Sequence, residues 1–180
     1  MKHYEDFALS DVPFHMRDGP PKSFPASLGH VLISFSQLED EISSGIGKLL
    51  ALDPVTAQIV VADMGFRNKT QLMASLVRHR IPTTAFNTGD ADPHDMFSEL
   101  LALCIRSEEL RNRIIHSSWR GWYTDDDKVE MRKSSARGRR GLDIRTEEVD
   151  SAYIMDVSDF ICYVAHSVYE FFMVVKEREP

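Results

Sequence analysis

The chain has 180 residues, of which 43% are hydrophobic and 27% are charged, and its formal net charge is −7. These values match an ordinary globular domain and exclude a fibrous or wholly disordered chain. The length favours one domain with at most an added arm, and it is sufficient for a hydrophobic core that needs no disulfides.

The sequence carries no signal that would direct the chain into or across a membrane. No run of 18 apolar residues occurs, and the first six residues lack the apolar segment of a signal peptide. Both cysteines, Cys104 and Cys162, lie inside apolar patterns, which favours reduced core thiols over a disulfide. We therefore expect a cytoplasmic protein with no membrane partner.

Positive charge is concentrated in the middle of this acidic chain. Residues 106–145 contain eleven Lys or Arg and seven Asp or Glu, whereas the remainder of the chain carries ten and twenty-one. Such a segment is either a solvated loop with extra arginines or a surface that faces phosphate groups. Taken by itself, the charge distribution favours the loop.

The N-terminal residues differ in character from the rest of the chain. Residues 1–26 contain four prolines and no apolar periodicity, and we interpret them as an extended arm. Residues 27–180 are then a single helical domain. Its first helix is expected over 27–52 with Ser27 as N-cap. An apolar residue recurs every seven positions in this helix, at Leu28, Phe35, Ile42 and Leu49.

Three further helices are expected before the character of the sequence changes. They are predicted over 54–64, 68–79 and 93–117, with a polar loop over 83–92. An Asp-Pro pair stands at the start of the first and the last of these three. The aspartate caps such a helix, and the proline fits its first turn.

After the fourth helix the apolar period changes from helical to alternating. We predict a β-hairpin over 119–133, with its turn at the aspartates 125–127, and a basic loop that completes the segment 118–145. Thr146 is the expected N-cap of a last helix that runs to residue 176. The predicted fold class is therefore mostly α, a bundle of four to five helices with a small β-hairpin inserted before the last helix.

The last predicted helix is apolar on most of its sides. One stripe consists of Val149, Tyr153, Phe160, Val164 and Phe171, and a second side carries Met155, Cys162, Tyr169 and Met173. A helix with this pattern is covered on most sides. Two arrangements provide that cover: a second copy of the chain, or a central position in a monomer.

Two opposite charges occupy core-facing positions of the predicted bundle. On a helical wheel Arg111 lies in the middle of the apolar stripe of the fourth helix, and Glu39 stands at an apolar heptad position of the first. A buried charge requires a partner. We expect Arg111 to be partly buried and paired with Glu39, or failing that with Glu108 three residues earlier.

Asn112 and His116 accompany Arg111 at the end of the same helix. An imidazole transfers protons near neutral pH, and a guanidinium binds a phosphate through two parallel hydrogen bonds. These groups are sufficient for cleavage of RNA without metal. Five residues of an uninterrupted helix leave Arg111 and His116 about 140° apart. Either the helix ends before His116, or two copies of the chain meet and form a composite site.

Other kinds of site have weaker support. No paired metal-ligand spacing and no glycine-rich phosphate loop occurs, so neither a metal nor another cofactor is expected. Trp119 is suited to stack on an unpaired base or to cover the core, and its place in the hairpin favours the core. Arg113 and Arg120 are further candidate contacts to RNA.

The residues Arg111-Asn112-x-x-x-His116, late in a long helix, resemble the motif of the HEPN superfamily (higher eukaryotes and prokaryotes nucleotide-binding). That motif is an arginine, a polar residue, a few further residues and a histidine. The order of elements is also similar: a long first helix with an acidic residue in its middle, the motif helix, a hairpin and a closing helix. The resemblance covers approximately residues 27–175.

The resemblance implies a helical bundle that dimerises through its motif helices. It implies a metal-independent endoribonuclease that acts on single-stranded RNA, in bacterial defence or in a toxin–antitoxin system with a neutralising partner protein. It also implies that Arg111 and His116 are catalytic, that Asn112 orients them or the phosphate, and that Glu39 is a supporting carboxylate. The alternative within the superfamily is a non-catalytic helical dimer that binds a protein or a nucleotide.

Overall fold

Helices dominate the fold, and one small antiparallel sheet precedes the last of them. The computed structural model describes residues 23–83, 92–120, 128–137 and 141–175. In chain order the elements are α1 (Ser23–Leu49), α2 (Pro54–Val61), α3 (Phe66–Arg80), α4 (Pro93–Ile115), β1 (Ser118–Arg120), β2 (Lys128–Arg137), β3 (Gly141–Asp150) and α5 (Ser151–Val174). The predicted class, mostly α with a small β insertion before the last helix, is confirmed.

Helices α1 and α5 pack against each other along the centre of the bundle. Gly45 of α1 lies so close to the Phe172 ring that a Cβ atom at this position would overlap it. The hydroxyls of Ser34 and Ser158 form a buried hydrogen bond of 3.0 Å between the same two helices. Helix α3 packs against α1, and α4 packs against α1, α3 and α5. Together these helices enclose an aliphatic and aromatic core.

Asp-Pro pairs begin α2 and α4, as the sequence predicts. The Asp53 carboxylate accepts hydrogen bonds from the backbone N–H groups of Val55 and Thr56, and Asp92 accepts one from His94. The Thr56 hydroxyl also donates to Asp53, and this bond is the main reason why the pKa of Asp53 is lowered. None of the described helices is by itself long and apolar enough to cross a membrane; α1 and α2 pass that test only as a pair bent by 114°.

The three strands form an antiparallel sheet in the order β1-β2-β3. Val129 and Met131 of β2 and Val149 of β3 are buried, and they share one face because side chains alternate along a strand. These residues attach the sheet to the helical bundle. Beyond them Lys133 and Arg145, directly opposite each other, are both exposed.

The predicted hairpin is confirmed by the pairing of β1 with β2, but the sequence analysis missed β3. Residues predicted as a basic loop and as the start of the last helix instead pair with β2. Thr146 is therefore no N-cap but lies opposite Arg132. Helix α5 begins after Asp150, whose carboxylate accepts a hydrogen bond from the Tyr153 N–H. The backbone N–H and C=O groups of β3 are satisfied by pairing with β2. The local sequence pattern of β3 does not show this pairing.

Helix α1 begins at Ser23, earlier than the predicted N-cap Ser27. Ser27 lies inside the helix, where its hydroxyl donates to the Ser23 carbonyl at 2.8 Å. Phe24, which the sequence analysis assigned to the arm, is buried. The rest of the predicted arm, 1–22, lies outside the described residues, as does most of the loop predicted over 83–92.

The inward face of α5 combines Val164 and Phe171 of the predicted stripe with a neighbouring apolar side of the helix. Ile154 and Ile161 are fully buried, whereas Tyr153 and Phe160 are half-buried. Packing against α1 decides which side of α5 faces inward, because apolar residues occur on several of its sides. The single chain leaves one side of α5 exposed, with Cys162, Tyr163, Tyr169 and Met173.

Candidate active site

The candidate site forms where α4 ends. The last helical residue is Ile115, and His116 is the C-cap with φ −97° and ψ 9°, outside the helical conformation. The His116 backbone N–H still donates to the Asn112 carbonyl, at 3.2 Å. The chain thus leaves the helix at the residue that carries the imidazole, and this is the first of the two arrangements that the sequence analysis left open.

The change of direction at His116 brings three polar side chains of the motif together. Nη1 of Arg111 lies 3.3 Å from Nε2 of His116 and donates to Oδ1 of Asn112 at 2.9 Å. A guanidinium has donors only, so Nε2 of His116 is the acceptor in this contact. His116 is exposed, and Arg111 and Asn112 are half-buried. The predicted cluster is therefore assembled within one chain.

Arg111 is held on the core side of α4, but its predicted carboxylate partner is wrong. The guanidinium carbon lies 5.4 Å from the centre of the Phe35 ring, in cation–π contact with α1. None of the ion pairs formed by the described residues includes Arg111, so neither Glu39 nor Glu108 neutralises it. Its Nε atom is buried without a hydrogen-bond partner. Within the described part of the chain, no carboxylate compensates the charge of Arg111.

Glu39 is instead paired with a residue that the sequence analysis missed. Lys69 of α3 places its Nζ 3.7 Å from Oε1 of Glu39, and their side chains are 13% and 35% exposed. Lys69 stands three residues after Phe66 and four before Met73, both of which are buried. That spacing puts all three residues on one helix face and would have marked Lys69 as core-facing.

Arg113 points to the sheet rather than to the Arg111 cluster. Its guanidinium forms an ion pair with Glu147 of β3 and lies 5.9 Å from the centre of the Tyr153 ring. A surface cleft of about 440 Å³ beside this pair is also lined by Glu148 and Asp150. Lys128 also lines this cleft and pairs with Glu148 at 3.3 Å. Because Arg113 is already paired with Glu147, the geometry favours a structural role for Arg113 over the predicted contact to RNA.

The two residues of β1 proposed as RNA contacts have different environments. Trp119 is half-buried and meets the Phe24 ring edge-on, with 4.8 Å between ring centroids, so it covers the core as the sequence analysis favoured. Arg120 is exposed and lies opposite Glu130 of β2. Of the pair, Arg120 is the more exposed residue.

The two cysteines lie in different surroundings. Both are free thiols, but only Cys104 is a core residue, whereas Cys162 is exposed on α5. Burial raises the pKa of the Cys104 thiol to about 12. In the described ranges, no group of three or more His, Cys, Asp or Glu side chains is placed to hold a metal ion.

The cluster at the end of α4 combines a proton acceptor with an anion-binding group. The imidazole of His116 is solvent-accessible, and none of the ion pairs of the described residues includes the adjacent Arg111 guanidinium. This combination suits proton transfer at an oxygen bound to phosphorus. No protein-family model matches the sequence, and comparisons with curated proteins and with solved structures also find no match.

Proposed function

We propose that this chain is a metal-independent endoribonuclease of the HEPN type that cleaves single-stranded RNA in the cytoplasm. Arg111 and His116 are its catalytic residues, and Asn112 positions the guanidinium. Its biological setting is bacterial defence or a toxin–antitoxin system in which a partner protein neutralises the activity. The motif and the order of elements support the family, and the side-chain cluster at the end of α4 supports the chemistry.

One observation carries the proposal: Arg111 and His116 approach within 3.3 Å, while no carboxylate among the described residues forms an ion pair with Arg111. A structural arginine on a core-facing position is expected to have an anionic partner, because an unpaired buried charge is unfavourable. An arginine that binds substrate must instead have no carboxylate bound to its guanidinium, so that the phosphate of the substrate can become its anionic partner. The unpartnered Nε atom is consistent with the second role.

The reaction follows from the chemistry of these groups. Neutral His116 accepts the proton of a ribose 2′-hydroxyl, and the 2′-oxygen attacks the adjacent phosphorus. The bond from phosphorus to the 5′-oxygen of the next nucleotide breaks, and that oxygen takes up a proton. Arg111 donates to the phosphate oxygens while negative charge builds up on them. The products are a 2′,3′-cyclic phosphate and a free 5′-hydroxyl.

A second copy of the chain supplies the other half of the proton transfer in this proposal. One cluster contains one imidazole, whereas the reaction needs a base for the 2′-hydroxyl and an acid for the leaving 5′-oxygen. His116 is exposed at the end of α4, where a two-fold axis would place two copies face to face. The homodimer then holds one composite site.

The proposal is tested by replacing one of two exposed histidines. His116→Ala should reduce cleavage of an unstructured RNA by about 10²–10⁴-fold in the presence of EDTA, the usual contribution of proton transfer. His166→Ala is the matched control, because His166 is also exposed but lies on α5 beside Glu170. Equal cleavage by both variants, or no cleavage of any RNA by the wild type, would instead favour the non-catalytic binding module.

A further inference from the structure

Three helices converge on a pair of aromatic rings beside Arg111. The Phe35 ring of α1 and the Phe66 ring of α3 lie 4.7 Å apart, and the Arg111 guanidinium of α4 lies over Phe35. Glu39 follows Phe35 by four residues and Lys69 follows Phe66 by three, so each stands one helical turn beyond its ring. The Glu39–Lys69 pair and Arg111 therefore flank the same two rings.

Glu39 is paired with Lys69, one of the two cations near these rings. It binds Lys69 at 3.7 Å, and its side chain is 35% exposed. The Lys69 side chain is only 13% exposed, so its charge depends on this carboxylate more than that of a surface lysine would. Arg111, the other cation, has a buried Nε atom without a partner. Removal of Lys69 would leave the Glu39 carboxylate without its cation. The Arg111 guanidinium, which lies over the Phe35 ring, would then be available as a new partner.

We propose that Lys69 is a positioning residue that holds Glu39 away from Arg111 and so keeps the guanidinium free to bind phosphate. Lys69 does not touch the substrate; it acts by pairing with Glu39, the carboxylate that the helical pattern of α1 favours as a partner of Arg111. Without Lys69, Glu39 turns toward Arg111 and forms the pair that the helical pattern itself favours. The expected effect on cleavage rests on the proposed function. The exchange of Glu39 from Lys69 to Arg111 does not, because it takes place in the protein without RNA.

The exchange of partners is measured first without RNA. The Nε–H signal of Arg111 is assigned in a ¹H–¹⁵N spectrum as the side-chain signal that disappears in Arg111→Lys. In Lys69→Met this signal should shift and exchange more slowly with water, because a carboxylate now accepts from the guanidinium. In the double variant Lys69→Met/Glu39→Gln the signal should return to the wild-type position. Lys69→Arg, which retains the cation, should leave the signal unchanged.

Cleavage provides the second readout. Lys69→Met should lose roughly 10²-fold or more in cleavage rate, the loss expected when an oxyanion-stabilising group is withdrawn. Adding Glu39→Gln should restore the cleavage rate. If Lys69 were only structural, removing Glu39 as well would not restore the rate. Lys128→Met is the matched control, since Lys128 forms an exposed pair with Glu148 at 3.3 Å on the sheet. If Lys69→Met does not fold, Lys69→Gln takes its place.

The outcomes separate this inference from the proposed function. An unchanged Arg111 signal in folded Lys69→Met, or no reversal by Glu39→Gln, overturns the role of Lys69 even if the wild type cleaves RNA. A shifted signal with reversal supports the exchange of partners. If the wild type then cleaves no RNA, the nuclease proposal fails while the exchange stands.

Discussion

Nη1 of Arg111 lies 3.3 Å from Nε2 of His116, although the two residues are five positions apart on one chain. A continuous helix would hold their side chains on different sides, about 140° apart. The contact exists because α4 ends at Ile115 and His116 adopts a non-helical conformation. The end of a helix thus creates the candidate site, and the shape of the bundle supplies Phe35 as the surface on which the arginine rests.

Replacement of Arg111 by methionine should separate activity from stability. Arg111→Met keeps an apolar side chain against Phe35. It removes a guanidinium that is in no ion pair of the described residues and whose Nε–H donor is unsatisfied. We expect the free energy of unfolding to change by less than about 1.5 kcal/mol, the scale of a volume-conserving exchange, while cleavage is lost. Urea titration and a cleavage assay on the same preparation measure both. A loss of 3 kcal/mol or more, roughly the effect of breaking a buried ion pair, would contradict the unpaired state of Arg111.

Two glycines of α1 should respond to alanine in opposite directions. Gly45→Ala places a Cβ inside the Phe172 ring and should destabilise the fold by about 1–3 kcal/mol, the usual effect of overpacking. Gly29 has nothing within 4 Å of its Cβ position, so Gly29→Ala should stabilise the helix by about 0.5–1 kcal/mol. Thermal unfolding of both variants checks the packing of α1 on α5. Equal effects at the two positions would show that this packing is wrong.

The different environments of the two cysteines lead to two predictions: a pattern of thiol labelling, and a decrease in the stability of the folded protein at high pH. Native protein should react with a thiol reagent at Cys162 and not at Cys104, which is buried. The pKa of Cys104 is raised from 9.0 to about 12 in the folded state, so only the unfolded chain releases this proton between these values. The thiol's contribution to stability is therefore complete below pH 9 and falls by about 1.4 kcal/mol per pH unit above it.

Unfolding in urea at pH 8 and at pH 10 measures this effect. Cys104→Ala serves as the reference, because all other groups that titrate in this range are common to the two proteins. The wild type should lose more stability than the variant between the two pH values. The same loss in both proteins would mean that the Cys104 thiol is accessible to water in the folded state.

Arg113 should prove structural rather than RNA-binding. Its pair with Glu147 joins α4 to β3, and the two side chains are 31% and 46% exposed, so Arg113→Gln should cost only about 0.2–1 kcal/mol of stability. The salt dependence of RNA binding should stay unchanged, measured in the His116→Ala background to prevent cleavage. A decrease of about 0.7 in the slope of log K against log salt, the effect of losing one phosphate contact, would restore Arg113 to the RNA interface.

The helices were predictable because their signals are local. Asp53 and Asp92 cap α2 and α4 as expected, and both the apolar period of α4 and its end near His116 are visible in the sequence. Strand β3 was not predictable in this way, since residues such as Thr146 and Glu147 are compatible with a helix start. Their conformation is decided by pairing with β2, which is a contact between distant parts of the chain.

The membership of the candidate site was predictable, but its electrostatic partners were not. Arg111, Asn112 and His116 are close in sequence, and they meet because α4 ends at Ile115, one of the two arrangements that the spacing allows. The prediction that Glu39 pairs with Arg111 failed because a heptad position gives the side of a helix and not the neighbour that occupies it. Lys69 belongs to a third helix, α3, which packs against both α1 and α4. This packing, which the sequence pattern does not show, places Lys69 beside the Glu39 carboxylate.

The most direct measurement of the central claim is the chemistry of the cleaved end. An unstructured RNA is incubated with the wild-type protein in EDTA, beside the same RNA with one 2′-deoxynucleotide at the preferred cleavage position. The account predicts a 2′,3′-cyclic phosphate and a 5′-hydroxyl from the first RNA and no cut at the modified position of the second, because the 2′-hydroxyl is the nucleophile that His116 deprotonates. Cleavage at the 2′-deoxy position, or a product with a 5′-phosphate, would contradict it.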